Sequence, residues 1–132
     1  MDLFFDTSAV VPLLLREPHT DNALAVAARA DRFFAWRWLQ VEVEAALARR
    51  RATPATWVEW RQMAASIHWL ELSESSLPAL CAFNRTLRLR AADAGHLFVC
   101  DRVLTVISEL QLVTFDHEMR EAAKTLGIPS LV

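Results

Sequence analysis

The sequence predicts an α/β fold: one domain over residues 1–132, with a central, mainly parallel sheet of about four to five strands flanked by helices on both faces. Three observations lead there. Short apolar runs alternate with segments of helical period along the whole chain, the pattern of strands joined by helical crossovers. A length of 132 residues with 54% hydrophobic residues suffices for one packed core without disulfide or metal staples. No linker, repeat or low-complexity run divides the chain, and its two glycines are too few for a glycine-rich phosphate loop of the P-loop or Rossmann kind.

The first predicted unit is a strand, Leu3 to Phe5, followed by a helix from Ser8 to Arg16. Pro18 and Thr20 precede a second helix, Asn22 to Arg29, and the aromatic run Arg32 to Trp36 reads as the next strand. From Trp38 to Arg51 the period is helical. Thr53 and Pro54 then supply an N-cap and a proline at the first helical position of a segment reaching Ser66, which makes a helical hairpin. Ile67 to Leu72 alternates as a strand, Ser73 is placed to cap a helix from Glu74 to Leu89, and another helix covers Ala92 to Ile107. Leu110 to Phe115 is a further strand. A helix from His117 to Leu126 ends at Gly127, which suits the left-handed C′ position, and Ile128 to Val132 is expected as a terminal edge strand.

Charge narrows the function classes. Fourteen basic residues against 16 acidic leave no general basic excess, so any nucleic-acid site has to be local. Met1 to Leu15 is apolar but carries Asp2 and Asp6 without a basic leader region, which argues against a signal peptide. No run of about 18 uncharged apolar residues occurs, so no membrane helix is expected and the predicted location is the cytoplasm. Cys81 and Cys100 lack zinc-type spacing and read as small apolar residues.

The acids carry the chemistry. Asp6 follows one predicted strand and Asp116 another, which puts both carboxylates at the C-terminal edge of a parallel sheet, where open α/β sheets bind ligands. Each also precedes a helix and fits an N-cap equally well. Asp93 falls in line with Leu97, Cys100, Leu104 and Ile107, an apolar helical stripe, so it needs a partner: a site, Arg90 or a cap. Asp101, two turns on, reads as a surface charge. Glu42 and Glu44 flank the apolar stripe of their helix on opposite sides, and periodicity does not choose between them.

Four stretches resemble the acidic motifs of the PIN-domain nucleases, in the family's order: Leu3-Phe4-Phe5-Asp6-Thr7-Ser8-Ala9, Glu42-Val43-Glu44-Ala45-Ala46-Leu47-Ala48-Arg49-Arg50, Arg90-Ala91-Ala92-Asp93-Ala94-Gly95-His96-Leu97 and Leu112-Val113-Thr114-Phe115-Asp116. The tail Glu121 to Pro129 is similar to the segment after the last motif in VapC toxins. This resemblance implies a metal-dependent endoribonuclease that restrains translation, with Asp6, Glu42, Asp93 and Asp116 as the acidic residues holding Mg²⁺ or Mn²⁺. It also implies Glu42 rather than Glu44, a homodimer and a VapB-like antitoxin that covers the site. Gly95 stands where a larger residue is common in the family, and Gln40 where Ser or Thr often starts the helix.

Four carboxylates drawn together would repel one another unless they held a cation or a proton, and oxygen donors suit Mg²⁺ or Mn²⁺ rather than zinc. A cation there would activate water and polarise a phosphate without a nucleophilic side chain. Thr7, Ser8 and Thr114 are candidates for orienting the carboxylates, with ordinary capping as the alternative. Arg85, Arg88 and Arg90, and separately Arg49 to Arg51, are candidate RNA phosphate contacts or simply solvated helix faces. His96 and His117 are assigned a surface or supporting role. Trp57, Trp60, Ala64 and Ile67 form a helical stripe whose default reading is core. Two alternatives to the ribonuclease stay open, a DNA-directed nuclease of the same fold and a non-catalytic binding module.

Overall fold

Strand period governs the first five residues: Leu3 and Phe5 share one face and Phe4 takes the other, and all three are fully buried. Burying each stabilises by about 1.5–3 kcal/mol, so β1 (Asp2–Phe5) occupies an interior position covered on both sides. The computed structural model, which describes residues 1–132, pairs β1 with β2 (Arg32–Trp36) and β4 (Gln111–Val113), while β3 (Ile67–Leu70) pairs with β2. All pairings are parallel and the order is β3-β2-β1-β4.

That order makes the chain step outward twice and then return to the far side of β1. Right-handed crossovers therefore place the helices before and after the return on opposite faces. Helices α1 (Thr7–Leu14), α3 (Trp38–Arg49) and α4 (Pro54–Ser66) cover one face, with Val10, Leu39, Val43, Leu47 and Trp60 packed on Leu3, Phe5, Ala35 and Val113. Helix α2 (Thr20–Ala27) leans on that layer through Val26 and Ala27. On the other face, α6 (Ala91–Leu104) and α7 (His117–Leu126) pack Leu97, Cys100, Val103, Met119 and Ala123 on Phe4, Phe34 and Leu112. Helix α5 (Leu77–Leu87) backs α6, with Phe83 edge-on to Phe98 at 5.2 Å. The crevice between β1 and β4, where the order reverses, is the position at which open α/β sheets bind ligands.

Three elements differ from the sequence expectation. The predicted helix over 74–89 is a short 3₁₀ turn, Glu74–Ser76, followed by α5. Pro78 lacks the N–H that would donate to Glu74, so the ladder breaks there, and Leu77 closes the tighter bond to Glu74 instead. Ser73 provides no side-chain cap. The last strand is shorter than 110–115, because Phe115 and Asp116 give their N–H groups to hydroxyls, Ser8 Oγ at 2.9 Å and Thr114 Oγ1 at 3.1 Å. The expected terminal strand is reduced to one parallel bridge, Leu112 to Ser130, so the sheet has four strands. Thr53 caps α4 by accepting from the Thr56 N–H, and Gly127 adopts the left-handed conformation at φ 73°. No helix is long and apolar enough to cross a membrane.

Candidate active site

Asp6 leaves β1 at the crevice and Asp116 leaves the Thr114-Phe115 step after β4, so the sheet order brings the two acids to one edge. Asp6 is 2% exposed. It occupies the N-cap position of α1, yet its side chain caps nothing. Oδ1 accepts from Ser8 Oγ and Oδ2 from Thr114 Oγ1, both at 2.7 Å. Burial pushes its pKa up to about 6, against the lowering pull of the Thr114 and Ser8 hydroxyls, and the neighbouring Asp116 charge adds to the rise. Asp116 does cap its helix: Oδ1 accepts from the Met119 N–H at 2.9 Å, which leaves Oδ2 without a protein donor.

Asp93 lies in the first turn of α6 and is half-buried. Neither of the partners expected from the sequence serves it: Arg90 is within electrostatic reach but forms no ion pair with it, and it caps nothing. Its pKa is raised, first by burial and then by the charges of Asp116 and Glu42. The acids are thus linked pairwise, Asp6 to Asp116, Asp116 to Asp93 and Asp93 to Glu42.

Glu42 comes to this group from α3. Its Oε1 accepts from Thr7 Oγ1 at 2.8 Å and from His96 Nε2 at 2.5 Å. Burial works to raise its pKa, but the His96 hydrogen bond and charge, with the Thr7 hydroxyl, hold it below the usual value. Glu44 faces away and pegs α3 to α4, its Oε2 accepting from Trp60 Nε1 at 3.1 Å. The two flanks of one helix thus have separate duties, which period alone left open.

Two further residues support the acids. Of the surface and supporting roles left open for His96, its contacts fit the supporting one: it is 1% exposed and holds Glu42, it sits edge-on to Trp36 at 5.1 Å, and its Nδ1 is buried without a partner. Its placement one turn after Asp93 on the same helix was the available signal. Arg120, on α7, donates from Nη2 to the Thr114 carbonyl at 2.9 Å and so steadies the loop that carries Thr114 and Asp116. Gly95 explains its own smallness: a Cβ there would fall 2.3 Å from the Trp36 ring.

Arg85, Arg88 and Arg90 are exposed and make no ion pair, whereas Arg50 is tied to Glu17 at 3.0 Å. Arg88 takes the left-handed position after α5 and Arg90 the N-cap of α6, so the Asp93 helix begins beside cationic side chains. His117 is exposed. Cys100 lies in the core, its thiol pushed up by burial, and Cys81 is exposed on α5, so neither joins the acids.

The donor set suits a hard divalent cation in kind, being all oxygen with excess negative charge. As the side chains stand, no three of the acidic, His or Cys residues form a group that could hold a metal ion. Both Asp93 oxygens, Glu42 Oε2 and Asp116 Oδ2 nevertheless carry no protein hydrogen bond, and the Asp6 oxygens retain further lone pairs.

A family model of the PIN domain matches residues 3–125. Among solved structures, the chain is similar to PAE2754 from Pyrobaculum aerophilum at 21% identity and a TM-score of 0.61, over 92% of this chain and 85% of that one; the likeness is one of fold. No curated protein matches the chain.

Proposed function

The chain belongs to the PIN domain family, and from that premise we propose that it is an Mg²⁺- or Mn²⁺-dependent endoribonuclease, the VapC-type toxin of a toxin–antitoxin pair. PIN domains are generally metal-dependent nucleases; the RNA substrate and the toxin role rest on the motif and tail resemblance. The observation that carries the nuclease reading is the convergence of Asp6, Glu42, Asp93 and Asp116 on the switch point, with Asp6 and Asp93 both raised by burial and by neighbouring negative charge.

Each residue has a physical part. Asp6, gripped by two hydroxyls, is the fixed point of the pocket. Asp93 offers both oxygens, and Asp116 and Glu42 one free oxygen each. A bound divalent cation would supply water activation and charge stabilisation at the phosphate. Arg85, Arg88 and Arg90 would engage phosphates flanking the cleaved bond. A VapB-like antitoxin over the pocket, a homodimer and a cytoplasmic setting complete the proposal.

The test is calorimetric titration of the antitoxin-free protein with Mg²⁺ and Mn²⁺, beside Asp93→Asn, followed by incubation with total RNA. Metal binding that weakens in the variant, together with metal-dependent cutting of a discrete RNA, is the expected result. Unchanged metal affinity in Asp93→Asn overturns the site, and preferential cutting of DNA overturns the ribonuclease assignment.

A further inference from the structure

Beside the acids runs a groove of about 450 Å³ lined by Trp36, Trp38, Leu77, Leu80, Ala91 and Ala92. Its lining joins the acidic site twice. Ala91 and Ala92 open the helix turn that carries Asp93, and Trp36 packs against His96, which holds Glu42. The Trp36 wall is fixed, because its ring occupies the space a side chain at position 95 would need. Trp38 lies 6.3 Å from it, tilted by 33°, and is 47% exposed. Leu77, 46% exposed, lies on the same lining, so the groove presents a contiguous open apolar face rather than one isolated side chain.

We propose that this groove is a stacking subsite for one unpaired nucleobase next to the cleaved phosphate, with Trp38 as the stacking face. The proposal rests on the nuclease reading and narrows its substrate to single-stranded nucleic acid. Charge favours this occupant over an apolar peptide. Arg90, the N-cap residue of α6, immediately precedes the lining residue Ala91, is exposed and makes no ion pair, so an apolar slot adjoins a cation free to take phosphate. A nucleotide presents that pair of chemistries, a π-face joined to an anion, and stacking on aromatic side chains tolerates any base. A base within a duplex keeps its own stacking partners and cannot enter, so the slot selects for unpaired strands. The rigid Trp36 wall limits the ordering cost of binding.

The experiment measures binding in an Asp93→Asn background, so that affinity is read without cutting. The probes are a short fluorescein-labelled single-stranded RNA of mixed sequence, the same strand with abasic positions, and its duplex. Trp38→Ala is expected to weaken single-strand binding roughly 5- to 100-fold, as for the loss of one stacked base. Trp38→Phe should recover most of that loss and Trp38→Leu little of it. The abasic strand should bind weakly to Trp38 protein and be indifferent to the substitution. Equal affinity in Trp38→Ala, or full recovery by Leu, overturns the proposal. Parallel cleavage assays with Asp93 intact separate the two readings. Normal cutting with an unchanged KM in Trp38→Ala removes the subsite and keeps the nuclease, whereas Trp38-dependent binding without any cutting keeps the subsite and removes the nuclease. Trp38 is half-open to solvent, and a melting curve verifies that its variants fold.

Discussion

The two halves of the acidic pocket are built differently. On the β1–β4 side, Asp6 is enclosed, both of its oxygens are engaged by hydroxyls, and Ser8, Thr114 and Arg120 bind the two strand exits into one web. On the α6 side, Asp93 is half-open and has no donor from the protein. Glu42 stands between them, one oxygen held by Thr7 and His96 and the other free. The difference separates two tasks. A carboxylate satisfied internally sets the geometry at the cost of burying charge, and one left unsatisfied is available to a ligand and adds to the fold only through the helix dipole at the start of α6.

The largest expected effect tests the open half. Asp93→Asn should lower kcat/KM for RNA cleavage by roughly 100- to 1,000-fold, the scale of losing one stabilising group in a transition state. Its melting temperature should hold or rise, since no protein contact is lost; a cooperative loss of fold would show Asp93 to be structural after all.

The closed half is tested through the pH dependence of stability. Asp6 has a folded pKa of about 6 against an ordinary 3.8. Its contribution is therefore fully present below the ordinary value and lost as pH rises through about 6, with the charged form weakening the metal-free fold by up to about 3 kcal/mol near neutrality. Asp6→Asn is expected to melt higher than the wild type near neutral pH, with the advantage gone by about pH 4. Urea unfolding of metal-free protein across that range checks it, and an Asp6→Asn protein less stable near neutrality would contradict the burial account.

A smaller effect is expected at the wall between site and groove. Gly95→Ala should cost about 1–3 kcal/mol through overpacking against Trp36, as measured by denaturant midpoint. Combining it with Trp36→Leu should recover part of that cost, because the two positions compete for one volume. The smallest effect sharpens the choice between two glutamates of one helix. Glu44→Gln keeps an acceptor for Trp60 and should change stability by less than about 1 kcal/mol, with cleavage unaltered. Glu42→Gln should impair cleavage.

Much of the layout is legible in the chain because it depends on local signals. Apolar runs and turn residues place the strands at Asp2–Phe5 and Arg32–Trp36, Pro54 and Thr53 place the start of α4, and Gly127 places the end of α7. Asp6 and Asp116 stand out because each closely follows a strand, and Asp93 because a carboxylate in an apolar stripe is conspicuous. The capping alternative holds for Asp116 and not for Asp6, a distinction that depends on where Ser8 and Thr114 aim their hydroxyls. The burial of His96 is hidden because imidazole carries no preference strong enough to reveal it, and its partners Glu42 and Trp36 are distant in sequence. The break at Pro78 is a local signal that the longer helical period around it conceals.

By itself the sequence determined most of the strands and helices, that they form one parallel α/β layer system, and which acids stand at strand ends. Those features follow from side-chain period, backbone propensity and caps, all of which act within a few residues. Only the tertiary structure decided the order β3-β2-β1-β4, the pairing of Glu44 with Trp60, the burial of His96 and the fit of Trp36 over Gly95. Each of these is a contact between residues far apart in the chain, fixed by close packing and by the need to satisfy buried polar groups, and neither condition exists until the layers have met.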